Sequence, residues 1–90
     1  METNKQLSEF NAWWIFILVG RLSTASRKRL EAKGFTTSPY SKSLRRHHPS
    51  LDKAKEMQSE IQECLRDGDR VETLLITDKQ FGMIETTFGQ

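Results

Sequence analysis

Residues 12–20 read AWWIFILVG, and residues 21–33 follow directly as RLSTASRKRLEAK. Trp13, Trp14, Ile15, Phe16, Ile17, Leu18 and Val19 are consecutive large apolar side chains. Burying each contributes roughly 1.5–3 kcal/mol, a gross drive of about 10–20 kcal/mol as an upper bound. The run must find a core, a partner or a lipid interface. One reading is a buried strand or helix of a small core. A second is the apolar region of a secretory signal with Ala25 near its cleavage site, although Lys5 is offset by Glu2 and Glu9. The third is membrane association. As a helix the run reaches only ~14 Å at ~1.5 Å per residue, short of the ~20 apolar residues of a spanning helix. Docking at the bilayer surface suits it better, because Trp favours that interface and each flanking base adds about 1 kcal/mol near an anionic leaflet. On this reading Trp13, Trp14, Ile15, Phe16, Ile17 and Leu18 enter the interface. Arg27, Lys28 and Arg29 hold its anionic surface on the cytosolic side.

Working outward, the chain has 90 residues, enough for one small domain, with 36% hydrophobic residues and a single cysteine, Cys64. A disulfide scaffold and a multi-cysteine zinc module are excluded. Charge is unevenly spread. Residues 1–20 carry Lys5 against Glu2 and Glu9, residues 21–51 carry eight bases against Glu31, and residues 52–90 carry five bases against nine acids. The middle is basic and the C-terminal part acidic, for a total of +2.

Residues 34–50, GFTTSPYSKSLRRHHPS, hold Gly34, Pro39 and Pro49 among hydroxyl residues. The prolines disfavour helix, so the segment reads as a flexible linker. Ser50 after Pro49 is a good N-cap, and Asp52 sits where the helix dipole favours an acid. No Gly or Pro follows until Gly68. Ala54, Met57, Ile61, Cys64, Gly68, Val71, Leu75 and Asp78 recur at alternating steps of three and four, a heptad seam with six apolar members. A helix this polar elsewhere gains most by pairing with another, through Met57, Ile61, Cys64, Leu65, Val71, Leu74 and Leu75. Asp67-Gly68-Asp69 offers an alternative: a turn, then VETLLIT at 71–77 as a strand in a hairpin spanning 71–88.

Nothing in the sequence assembles a catalytic or metal site. His47 and His48 are adjacent and face different ways, Cys64 sits on the seam, and no glycine-rich phosphate loop occurs. An enzyme, a cofactor and a metal are not expected. The clusters SRKRLEAK and SLRRHH, with Phe35 and Tyr40 as stacking faces, support a nucleic-acid reading, which the acidic C-terminal part opposes.

Residues 57–75, MQSEIQECLRDGDRVETLL, resemble the coiled-coil motif of vesicle-side (R-type) SNARE proteins. Met57, Ile61, the Gly68-Asp69-Arg70 triplet, Val71 and Glu72 carry the resemblance, with Leu74, Leu75 and Phe88 extending it. Asp67 stands where that family carries its central Arg. The resemblance implies a helical protein partner bound through residues 51–80 and a link to vesicle traffic. The expectation is a mainly α protein in three parts. Residues 1–22 form a short hydrophobic N-terminal helix, 23–50 a flexible basic linker, and 51–90 an amphipathic coiled-coil-like helix. Its partners would be another helix and an anionic membrane surface. The alternative is an α+β protein with a C-terminal hairpin. A separate alternative concerns function: a soluble basic adaptor or viral accessory protein of the nucleus or cytoplasm, with residues 12–20 as core, that binds nucleic acid or a host protein.

Overall fold

A computed structural model describes residues 12–89. Residues 1–11, with Glu2, Lys5 and Glu9 of the signal reading, lie outside the described residues, as does Gln90. The elements run β1 (Trp13–Arg21), α1 (Thr24–Ala32), β2 (Thr36–Thr37), β3 (Leu44–His48), α2 (Leu51–Cys64), β4 (Arg70–Thr77) and α3 (Asp78–Phe81). The sheet order is β2-β3-β1-β4, and every neighbouring pair is antiparallel. β1 and β2 are thus parallel with β3 between them, and β3 and β4 are parallel with β1 between them. Two split βαβ units interlock, the ferredoxin-like arrangement of one sheet with two connecting helices.

The fold is α+β, which corrects the expectation of a mainly α chain. Residues 12–20 do not form a helix. Aromatic and β-branched residues suit a pleated strand, and β1 lies between β3 and β4 in the sheet. Up to the bulge at Gly20 its odd-numbered residues face the helices: Ile15 and Ile17 are fully buried against Leu30 of α1, Leu44 of β3, and Ala54, Ile61 and Cys64 of α2. Residues 23–50 are not a linker throughout, since they hold α1, β2 and β3. Ser23 caps α1 by accepting from Ser26 N. The helix ends in a Schellman turn: Gly34 takes φ 100°, its N–H donates to Glu31 O, and Phe35 N donates to Leu30 O. Phe35 and Leu30 are both buried there.

The long C-terminal helix also fails to form. α2 starts where expected, with Ser50 Oγ accepting from Lys53 N at 3.2 Å, but it stops at Cys64. Gly68 takes φ 93°, a left-handed conformation that no helix continues through. The stretch 57–75 therefore divides between α2, a turn and β4. Val71 and Leu75 keep the heptad phase because strand alternation also places 71, 73 and 75 on one face. The hairpin of the alternative fold does not form either. β4 pairs with β1, and residues 84–89 have no regular structure.

Asp69 ties the turn before β4 to the start of α1. Its carboxylate accepts from Ser26 Oγ at 2.5 Å, Arg66 N at 2.8 Å and Ser23 N at 2.9 Å. The helices are joined by Lys33 Nζ to Glu60 Oε1 at 3.0 Å and by Arg29 Nη1 donating to Cys64 O at 3.1 Å.

Candidate functional site

Both helices lie on one face of the sheet, so the even-numbered side chains of β1 point to the other. That open face carries Trp14, Phe16 and Leu18 from β1. Across the register sit Ile76, Leu74 and Glu72 of β4 on one side, and His47 and Arg45 of β3 on the other. β1 is apolar along both faces, which is why its sequence shows no alternation.

One end of the face is built over by α3. Thr77 and Gln80 form a capping box, Thr77 N donating to Gln80 Oε1 at 2.9 Å and Gln80 N to Thr77 Oγ1 at 3.1 Å. This turns the chain back across β1, and Phe81 stacks on Trp14 while Trp14 Nε1 donates to Asp78 Oδ1 at 2.7 Å. The Arg45 guanidinium lies 4.9 Å from the Phe16 ring centre and 5.5 Å from that of Phe81. Both inner aromatic faces are thereby occupied.

What remains open is aliphatic. Phe16, Leu74, Ile76, Gln80, Met83 and Ile84 line a groove of about 390 Å³. Leu74 is 50% exposed, Met83 70% and Ile84 43%, and Leu18 continues the patch at 45%. Arg45 of β3 lies opposite Phe16 on one side and Glu72 of β4 opposite Leu18 on the other, while Arg21 and Arg70 line a separate pocket with Gly68 and Asp69.

A second, smaller pocket lies on the helix side, lined by Arg46, His48, Lys53, Glu56 and Glu60 among others. His48 is buried, its Nε2 lies 3.3 Å from Arg46 Nη1, and its Nδ1 has no partner among the described residues. Burial first, then the Arg46 charge, lowers its pKa and favours the neutral ring. No cluster of three His, Cys, Asp or Glu able to hold a metal occurs among the described residues.

The residues singled out from sequence are scattered by this fold. Ile15 and Ile17 are core, and Trp13 packs against it. Trp14, Phe16 and Leu18 face the open side, whereas Arg27, Lys28 and Arg29 sit on α1 in the helix layer, so the two groups do not share one surface. No helix among the described residues is long and apolar enough to cross a membrane. Of the seam residues, Ile61 and Cys64 are buried, and Met57, Leu65, Val71 and Leu75 pack against the same core. Leu74, the other residue assigned to helix pairing, is exposed on the opposite face. Of the two stacking candidates, Phe35 is core, and Tyr40 is exposed with its ring edge-on to Phe88 at 5.3 Å. The basic cluster at 44–48 divides, with Arg45 and His47 on the open face and Arg46 and His48 toward the helices. Sequence reasoning missed Ile76, Phe81, Met83 and Ile84. The capping box Thr77-x-x-Gln80 was the available signal for the turn that brings them there. Comparisons with protein-family models, curated proteins and solved structures found no match to this chain.

Proposed function

We propose that this protein is a small adaptor that holds an apolar segment of a protein partner against the open face of its sheet. The observation that carries this reading is the contrast between occupied and vacant surfaces on that face. Phe81 covers Trp14 and Arg45 covers Phe16, while Leu18, Leu74, Met83 and Ile84 remain exposed. Nucleic-acid bases need free aromatic faces, whereas an aliphatic groove suits an apolar side chain of a peptide or helix. Met83 adds an adaptable wall, since an unbranched thioether follows the shape of what it meets. Each apolar side chain of the partner fully buried there contributes roughly 1.5–3 kcal/mol before ordering costs. Arg45, whose guanidinium lies over the groove residue Phe16, favours a segment with acidic flanks.

The test is a binding titration of the full chain with three probes: an amphipathic peptide with acidic flanks, a single-stranded oligonucleotide and anionic vesicles. The peptide is expected to bind, and Leu74→Glu with Ile84→Glu to weaken it by at least about tenfold, or ~1.4 kcal/mol. Salt-sensitive oligonucleotide binding lost in Arg45→Ala would replace this reading with a nucleic-acid one. Vesicle binding lost in Leu18→Glu would replace it with a membrane one.

A further inference from the structure

The two edges of the sheet differ. β2 closes one with two residues, too few to template another strand. β4 forms the other with eight, RVETLLIT, and pairs with β1 alone among the described residues. Edge strands are commonly blunted by Lys, Pro, a bulge or shortness. β4 has no Lys, Pro or Gly, its two charges, Arg70 and Glu72, lie toward its start and leave Thr73–Thr77 uncharged, and the extra residue of the bulge, Gly20, belongs to β1. Among the described residues, the chain that follows makes no backbone bond to this edge. Backbone N–H groups of Gly82, Met83 and Ile84 donate to Asp78, Gln80 and Phe81, within their own turn.

The strand is also complementary to itself. In antiparallel pairing, residues directly opposite each other share a face, so an extended sheet admits only registers that set even positions against even. Centring on Glu72 puts two carboxylates together. Centring on Leu75 puts Glu72 against Asp78. Centring on Thr73 sets Arg70 against Ile76 and leaves it no acid. Centring on Leu74 overlaps all of Val71–Thr77, sets Leu74 against Leu74, and brings Arg70 of each copy to the level of Asp78 of the other. Asp78 uses Oδ1 for Trp14 and has a second oxygen to offer.

We infer that two copies of this chain pair through β4, antiparallel and centred on Leu74, to form one continuous eight-stranded sheet. The contact is isologous, with the same strand used by both copies and two equivalent Arg70–Asp78 pairs. This goes beyond the groove and does not depend on it. It sets the two grooves side by side, because Leu74 borders both.

Sedimentation of the full chain up to about 1 mM tests this, together with cysteine cross-linking. Opposite Cα atoms in an antiparallel pair lie ~4.5–5.5 Å apart, within the span of a disulfide. Leu74→Cys is therefore expected to form a covalent dimer on oxidation. Glu72→Cys, opposite Ile76, is expected to remain monomeric on a non-reducing gel. Arg70→Glu sets like charges together and is expected to weaken dimerisation about tenfold, with Asp78→Lys in the same chain restoring it. Circular dichroism checks that each variant keeps the parent fold. A single monomeric species up to about 1 mM overturns the inference. So does a dimer in which Leu74→Cys fails to cross-link, because the interface is then elsewhere.

Discussion

The rings of Trp14 and Phe81 lie face to face, with centroids 3.6 Å apart and planes 5° from parallel. This contact joins the strand between β3 and β4 to α3, and so positions residues 82–84 beside Leu74 and Ile76. An aromatic pair is worth ~0.5–1.5 kcal/mol beyond its buried area. Phe81→Ala is expected to cost about 1–2 kcal/mol in denaturant unfolding, since the ring is only half-buried. The same variant should release Met83 and Ile84 from the groove, read as a change in their methyl resonances.

Alternation along β1 gives a second prediction. Ile17 is fully buried and Leu18 is 45% exposed on the other face. Ile17→Ala is expected to cost about 2–5 kcal/mol and Leu18→Ala less than about 1 kcal/mol. Equal costs, measured by denaturant unfolding, would contradict the strand.

Gly68 and Gly34 both hold left-handed backbone, but in different surroundings. A Cβ on Gly68 meets nothing within 4 Å, so Gly68→Ala is expected to cost only the backbone strain, about 1–2 kcal/mol. A Cβ on Gly34 comes within 2.9 Å of Arg46 Nε, so Gly34→Ala adds the displacement of that side chain. Thermal melts should rank Gly34→Ala below Gly68→Ala, and both below the parent. A continuous helix through 68 predicts the opposite sign there.

Asp69 gives the chain an acid-sensitive joint. The Ser26 hydroxyl, followed by the Arg66 and Ser23 N–H groups, holds its carboxyl down at about 2. The folded form therefore binds fewer protons than the unfolded one near pH 3. Its stabilisation is complete above about pH 4 and is lost as pH falls toward 2. Asp69→Asn should lower stability at neutral pH and flatten that acid limb in unfolding curves taken from pH 5 to pH 2.

His48 acts in a separate window. Its ring is buried beside Arg46 and stays neutral where an unfolded histidine begins to charge, so stability falls as pH drops below about 6.5. The charged groups around its pocket are Arg46, Lys53, Glu56 and Glu60. His48→Leu should remove the difference in melting temperature between pH 7.5 and pH 5.5 that this ring contributes. The Asp69 limb below pH 4 should remain.

Some of this was legible in the sequence, and the reasons for the rest are physical. The start of α2 was plain because Ser50, Asp52 and an uninterrupted polar helix agree. The turn at Asp67-Gly68-Asp69 and the strand VETLLIT were readable as one of two alternatives. The heptad steps at Val71 and Leu75 concealed the choice, since those positions also share a strand face. β1 was hard to read because apolar side chains on both faces erase the period of two. β3 was harder still: LRRHH carries one apolar residue, and its place beside β1 rests on pairing that no local pattern announces. The groove was the least legible part, because Phe16, Leu74 and Ile84 meet only through the tertiary fold.

The most direct test of the open face as the binding surface is a methyl-resolved NMR titration of the full chain with an amphipathic peptide bearing acidic flanks. Shifts are predicted at Leu18, Leu74, Ile76, Met83 and Ile84, with Leu30, Ala54 and Ile61 on the helix side unmoved. Absence of binding, or shifts centred on α1 and α2 with the open face unchanged, would contradict it.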